Sequence, residues 1–264
     1  MKISSRQNER IKFVKKLHRR RYRDQSRLYI AEGLRLVEDL SSTDMIQEVY
    51  YTDRLVSSPR GQELLEQLQE SGVNVYLCSE EAFGDIADTD NTQGILAIVH
   101  QPELVVNWEH KLKQGLVLVV DQIQDPGNLG TIMRTALAAG VDGIWMIKGT
   151  VDPFNPKVVR SSMGAVQKLP LASMTARECA ELSSRFGLKL IAADLENADP
   201  YYDTDLAQPC AIVIGNEGSG IQLELLKHCT ERIFIPLAND VESLNASVAA
   251  AVLIYESVRQ RQFI

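Results

Sequence analysis

Residues 115–260 read as an open parallel α/β sheet, and residues 1–101 as a second, smaller α/β unit. Three observations carry that fold class. Two strand-length runs, Val117–Val120 and Ala211–Ile214, are apolar without a break, as strands covered on both faces must be. Strand, turn and helix then follow one another repeatedly, the order that builds a parallel sheet flanked by helices. Finally, Gln101–Gln114 carries Pro102, mixed charges and no strand pattern, and so reads as a linker. A boundary there divides the chain into domains 1–105 and 106–264.

Along the chain, Ile11, Val14 and Leu17 space an apolar stripe at helical period through the basic residues 5–21, and the Ser4/Ser5 pair can cap the start. Strands at Leu28–Ala31, Ile46–Thr52, Val73–Cys78 and Ile95–His100 then alternate with helices at Gly33–Leu40, Gln62–Glu70 and Glu80–Ala87. After the linker come strand Leu116–Asp121, helix Leu129–Ala139, strand Gly143–Ile147, helix Pro156–Ala165 and a strand near Leu169–Ser173. Helix Ala176–Phe186, strands Lys189–Asp194 and Ala211–Gly215, a short helix from Gly220 and strand Arg232–Pro236 follow. An Ala-rich helix from about Ser243 to Gln260 ends the pattern.

A chain of 264 residues, 45% hydrophobic and 24% charged, suits two compact domains and excludes disorder. The longest apolar stretch, Leu116–Val120, falls far short of the roughly 20 residues that cross a bilayer, and the N-terminus lacks a signal-peptide run. The protein is expected to stay in the cytosol. Cys78, Cys179, Cys210 and Cys229 are widely separated, as are the four histidines, so neither a metal site nor a disulfide framework is expected. The net charge of −7 is uneven: residues 1–27 hold 11 Lys and Arg against Glu9 and Asp24. A basic stretch of this density on an acidic chain is a nucleic-acid footprint, its alternative being a solvated helix face.

Three loops carry the chemistry. Asp125–Arg134 lies between a buried strand and a helix, with Asn128 at the helix start and Arg134 near the end of its second turn. Gly215–Gly220 follows an apolar strand and lets backbone N–H groups approach a ligand. It lacks the Lys-Ser/Thr of a P-loop and the early βαβ position of a dinucleotide fingerprint, which disfavours ATP, NAD and Rossmann-type methyltransferase readings. The third, Ile235–Ala249, runs from a strand end into the last helix. Ser243 can cap that helix, but Asn245 is a poor helix former whose place there implies a use for its amide.

In order, spacing and context these segments resemble the three motifs of the SpoU (TrmH) family of SPOUT RNA methyltransferases, and Asp152–Arg160 is similar to a segment these enzymes carry before their middle helix. The resemblance implies a C-terminal domain tied in a deep trefoil knot, a rare exception to unknotted folding, that forms an S-adenosylmethionine pocket. It implies 2′-O-methylation of a ribose, with Arg134 on the hydroxyl and its adjacent phosphate and Asn128, Glu217, Ser243 and Asn245 shaping the site. It places the cofactor against backbone near Ala193, Gly215, Ile235 and Leu244. It further implies a homodimer through the C-terminal half, with Ala246, Ala249 and Ala250 in close packing, and a fragment from about residue 107 that still binds cofactor. Residues 1–101, with Tyr29–Gly33 before a helix, look like the RNA-binding domain of rRNA-modifying members, a fold shared with large-subunit ribosomal proteins. Minimal tRNA-modifying members generally lack it, which favours large-subunit (23S) rRNA as the partner. A tRNA 2′-O-methyltransferase and an inactive RNA-binding protein of the same fold are the alternatives.

Overall fold

In the computed structural model, which describes residues 2–105, 107–112, 114–239 and 242–262, Asn8 rather than Ser4 or Ser5 starts the first helix. Its side chain accepts from Arg10 N at 2.9 Å, while Ser5 spends its hydroxyl on Gln7 N in a local turn. The helix expected across 5–21 is two, α1 (Glu9–Leu17) and α2 (Arg20–Ser26), because Arg19 between them is extended. β1 (Leu28–Glu32), α3 (Leu34–Ser41), β2 (Ile46–Tyr51), α4 (Asp53–Val56), α5 (Pro59–Glu70), β3 (Asn74–Leu77), α6 (Glu80–Gly84) and β4 (Ile95–His100) follow. Beyond them run β5 (Leu116–Asp121), α7 (Pro126–Ala138), β6 (Gly143–Ile147), α8 (Pro156–Ser162), α9 (Ala165–Lys168) and β7 (Leu171–Met174). The chain continues with α10 (Ala176–Phe186), β8 (Lys189–Ala193), β9 (Asp199–Pro200), β10 (Cys210–Ile214), α11 (Leu223–Leu226), β11 (Glu231–Phe234) and α12 (Ala246–Gln262).

These elements gather into two units, Met1–Pro102 with Asp152–Gln167, and Glu103–Val151 with Lys168–Ile264. The first holds a sheet of order β1-β4-β2-β3 in which β4 runs antiparallel to β1 and β2. Ile11, Val14 and Leu17 of α1 pack with Ile30, Tyr50, Phe83 and Ile98 as its core.

Arg23 is the main surprise in the basic stretch, because it is 2% exposed. Its Nε donates to Asp152 Oδ2 at 2.9 Å and its Nη1 to Leu17 O at 2.8 Å. Asp152 opens the segment that sequence order puts between β6 and β7 but that packs in the first unit. There Phe154 lies 5.5 Å from the Tyr29 ring, and Tyr29 Oη donates to Gln167 at 2.9 Å. Other basic residues are also spent inside the unit: Arg10 on Glu48, Lys2 on Asp53, Lys12 on Glu9, and Arg20 on Asp24. Among the described residues Lys16, Arg19, Arg21 and Arg27 make no ion pair.

Arg6 and Lys15 share Asp85, and hydrogen bonds from Arg6 first and Lys15 second hold its carboxyl down at about 2. A depressed carboxylate stabilises the fold above its unfolded pKa, about 4, and that contribution disappears as pH falls through about 2. Asp85→Asn should therefore destabilise the chain by about 1 kcal/mol at pH 7, the scale of a half-exposed pair. Urea melts should show the gap between the two proteins closing towards pH 2; a gap independent of pH would contradict this role.

The second unit is an all-parallel sheet of order β7-β6-β5-β10-β8-β11-β9. From β5 the chain moves outward through β6 and β7, then crosses back so that β10 enters between β5 and β8. The order reverses at the β5/β10 pair, and ligands of open parallel sheets bind beyond the carboxyl ends of strands at such a point. The segment read as a linker supplies core: Trp108 is 1% exposed and meets Trp145 edge-on at 5.6 Å. Gly143 leaves the room, since a Cβ there would lie 2.5 Å from the Trp108 ring. No helix among the described residues is long and apolar enough to cross a membrane.

Candidate active site

The loop after β5 turns into α7 through Asp125, whose side chain caps the helix by accepting from Asn128 N at 2.8 Å, with Pro126 in the first turn. Asn128 is thus not the cap, and its amide is released to reach across the sheet edge. Its Nδ2 donates to Glu217 Oε1 at 2.7 Å, and its Oδ1 accepts from Asn245 Nδ2 at 2.9 Å. Asn245 in turn accepts at Oδ1 from Ser247 N at 2.9 Å and Ser247 Oγ at 2.7 Å. The last helix therefore starts at Ala246 with Asn245 as its cap; Ser243 lies before it, contrary to expectation. One run of hydrogen bonds, Ser247 to Asn245 to Asn128 to Glu217, ends on a carboxylate and ties the three loops together. Each amide in it has both ends engaged, which fixes its orientation.

The Gly-rich loop is closed on itself. Asn216 and Gly220 exchange two backbone hydrogen bonds of 3.0 Å, and Asn216 Oδ1 accepts from Gly218 N and Ser219 N. A Cβ on Gly215 would lie 2.5 Å from Gly220 C and 2.6 Å from Ile221 N, so only glycine fits. Asn216 Nδ2 reaches Gln122 O at 2.8 Å and joins this loop to the one after β5.

Beside the network lies a cavity of about 160 Å³. The four residues expected at the cofactor, Ala193, Gly215, Ile235 and Leu244, all line it, as do Glu217 and Ser243. Ile214, Ile233 and Leu237 make its wall largely apolar. Arg134 is not part of the hydrogen-bonded group. It is exposed on α7 and makes no ion pair or side-chain hydrogen bond among the described residues. Asn216 and Gln222 were missed as site residues by sequence reasoning, and so was Asp121, whose signal is an acid ending an otherwise unbroken apolar strand.

Three loops hydrogen-bonded to one another at the switch point of a parallel sheet mark the place where an open α/β fold binds its ligand. The model of the SpoU rRNA Methylase family matches residues 115–255, and that of the MRM3-like substrate binding domain matches residues 8–97. The chain belongs to the SpoU/TrmH family of RNA 2′-O-ribose methyltransferases. It is 35% identical over 256 residues to the 23S rRNA (guanosine(2553)-2'-O)-methyltransferase RlmP of Bacillus subtilis, covering 96% of this chain and 97% of that one. It is 35% identical to the 23S rRNA (guanosine-2'-O-)-methyltransferase RlmB of Ralstonia nicotianae over 87% of this chain and 93% of that one. The AdoMet-bound rRNA methyltransferase from Sinorhizobium meliloti superposes with a TM-score of 0.88 at 28% identity, over 100% of this chain and 98% of that one.

Proposed function

We propose that the protein transfers a methyl group from S-adenosylmethionine to the 2′-hydroxyl of a guanosine ribose in 23S rRNA. The observation that carries this reading is the Asn245–Asn128–Glu217 network beside the apolar cavity, in a chain whose relatives act on that nucleoside. The cavity fits the cofactor: Ile214, Ile233, Ile235 and Leu244 offer apolar faces to a purine. Strand pairing ends at Phe234 and α12 begins at Ala246, and among the described residues between them, 235–239 and 242–244, backbone N–H and C=O groups are offered to its polar edge. When bound, S-adenosylmethionine supplies a methyl group activated by a sulfonium.

The chain's own residues do the rest. Arg134 orients the ribose hydroxyl and the neighbouring phosphate and stabilises the developing oxyanion. It is not the base, because a guanidinium keeps its proton at neutral pH; a phosphate oxygen or water takes the hydroxyl proton. Glu217 and Ser243 border the space where donor and acceptor meet, and Asn128 holds Glu217 in place. Mapping 2′-O-methyl positions in rRNA from cells with and without the gene tests the reading. One guanosine losing its mark supports it, and an unchanged map overturns it.

The division of labour follows the two units, with RNA held by the first, a fold like that of large-subunit ribosomal proteins, and cofactor by the second. In the second the chain after β11 threads a preceding loop as a trefoil knot, which is how α12 returns to pack on α7. The chain acts in the cytoplasm, where its rRNA substrate is assembled. Affinity for RNA comes from Lys16, Arg19, Arg21 and Arg27, which have no acidic partner among the described residues. Neutralising Arg19, Arg21 and Arg27 together should weaken RNA binding and flatten its salt dependence by up to about 0.7–0.9 log units for each phosphate no longer neutralised. S-adenosylmethionine affinity should not change. Unaltered RNA affinity and slope would leave these residues as a solvated face.

Two copies pair through α12, where Val248 and Tyr255 are 48% and 50% exposed on one face while Ala246 and Ala250 pack inward and Ala249 is half-buried. Sedimentation at micromolar concentration should give a dimer that Tyr255→Glu dissociates, and a wild-type monomer would contradict the pairing.

A further inference from the structure

Asp121 is the last residue of β5, is fully buried, and has no cation against it among the described residues. Both of its carboxylate oxygens are used by one partner: Gln222 N donates to Oδ2 at 2.7 Å and Gln222 Nε2 to Oδ1 at 2.8 Å. Gln222 stands at the start of α11 without capping it, its side chain being committed to Asp121 instead. It also follows directly on the Gly-rich loop, two positions after Gly220. The neighbouring residue, Gln122, takes the left-handed backbone at φ 56° and accepts from Asn216 Nδ2 through its carbonyl. Besides the Asn128–Glu217 bond, the segments after β5 and β10 are thus joined at two more points, Asp121 to Gln222 and Gln122 to Asn216.

We infer that Asp121 and Gln222 are a positioning pair that sets the Gly-rich loop, and with it Gly215 and Glu217, at the wall of the cofactor cavity. The inference rests on the proposed S-adenosylmethionine site and deepens it. Burying a carboxylate without a cation is costly, and burial pushes the Asp121 carboxyl up from its ordinary value. An apolar residue would continue the strand at no such cost. What the carboxylate supplies is two acceptors at once, one for a backbone N–H that would otherwise be buried unpaired and one for the side chain beside it. The role belongs to the hydrogen bonds and not to the charge. An asparagine in its place can accept from Gln222 N through its oxygen and donate its NH₂ to a Gln222 amide turned over by 180°.

Three single variants of the full chain decide the matter: Asp121→Ala, Asp121→Asn and Gln222→Ala. S-adenosylmethionine binding is read by calorimetry, RNA binding by filter retention, and hydrogen exchange of the 216–222 amides is followed without cofactor. Asp121→Ala should raise the Kd for S-adenosylmethionine tenfold or more and speed exchange across the loop, with RNA affinity unchanged. Gln222→Ala, which keeps the backbone bond and the fold, should raise Kd severalfold and speed exchange. Asp121→Asn should stay within about threefold of wild type in Kd and in exchange. Wild-type Kd and exchange in both alanine variants would overturn the pair, and an Asp121→Asn variant as impaired as Asp121→Ala would overturn the hydrogen-bond role. A wild-type chain that binds no S-adenosylmethionine would sink the underlying functional reading. The exchange rates would then still decide whether Asp121 and Gln222 set the loop.

Discussion

Arg134→Ala should leave the protein folded and able to bind S-adenosylmethionine, yet reduce methyl transfer at least 10²–10³-fold, about 3–4 kcal/mol of lost transition-state stabilisation. The fold survives because Arg134 is exposed on α7 and supports no other side chain among the described residues. The rate falls because Arg134, a cation with no acid against it among the described residues, can meet a phosphate and a developing oxyanion. Lysine should restore little, since a single ammonium does not reproduce the planar pair of donors a guanidinium presents. Single-turnover assays with saturating cofactor measure the chemical step directly. A variant with near wild-type rate would remove Arg134 from the mechanism.

Deleting residues 1–106 should abolish the stable fold, and with it cofactor binding. The resemblance alone leads to the opposite expectation, that a fragment from about residue 107 is self-sufficient. The difference lies in Asp152–Gln167, which belongs to the first unit although its sequence interrupts the second. Phe154, Val158, Val159 and Val166 are buried, Phe154 against Tyr29 of the deleted part, and Asp152 is the buried partner of Arg23. At about 1.5–3 kcal/mol per large apolar side chain, exposing these four costs roughly 6–12 kcal/mol, comparable to the whole stability of a domain. The ion pair adds to this in the full chain: Arg23→Ala alone should cost about 3–5 kcal/mol by leaving Asp152 buried and unpaired. Circular dichroism and calorimetry on the fragment test the point. A soluble, cooperatively melting fragment that binds S-adenosylmethionine like the full chain would show that Asp152–Gln167 does not depend on the first unit.

The parallel sheet was legible because its strands are apolar without interruption, and β5, β6, β8 and β10 lie within a residue of their expected limits. The convergence of Asn128, Glu217 and Asn245 was legible through the three motifs. Helix starts were not, because Ser4, Ser5 and Asn8, or Ser243 and Asn245, offer several capping side chains within a few positions and only the tertiary fold selects one. Which of the basic residues are already paired was hidden for a different reason. Charge density is local, whereas the acids that neutralise it lie far along the chain: Glu48 for Arg10, Asp85 for Arg6 and Lys15, Asp152 for Arg23. Trp108 was lost in a segment with no periodicity, since one core residue in a connecting stretch makes no pattern. The order β5-β10-β8 is likewise invisible in the sequence, although it is what brings the Gly-rich loop beside the start of α7.

The most direct test incubates the purified full chain with S-adenosylmethionine and 23S rRNA lacking the modification, then quantifies nucleosides by mass spectrometry after digestion. The expected result is the appearance of 2′-O-methylguanosine, approaching one per rRNA molecule and absent with Arg134→Ala. Unmodified rRNA, or a methyl group found on a base instead of the ribose, would contradict the assignment of this site to 2′-hydroxyl chemistry.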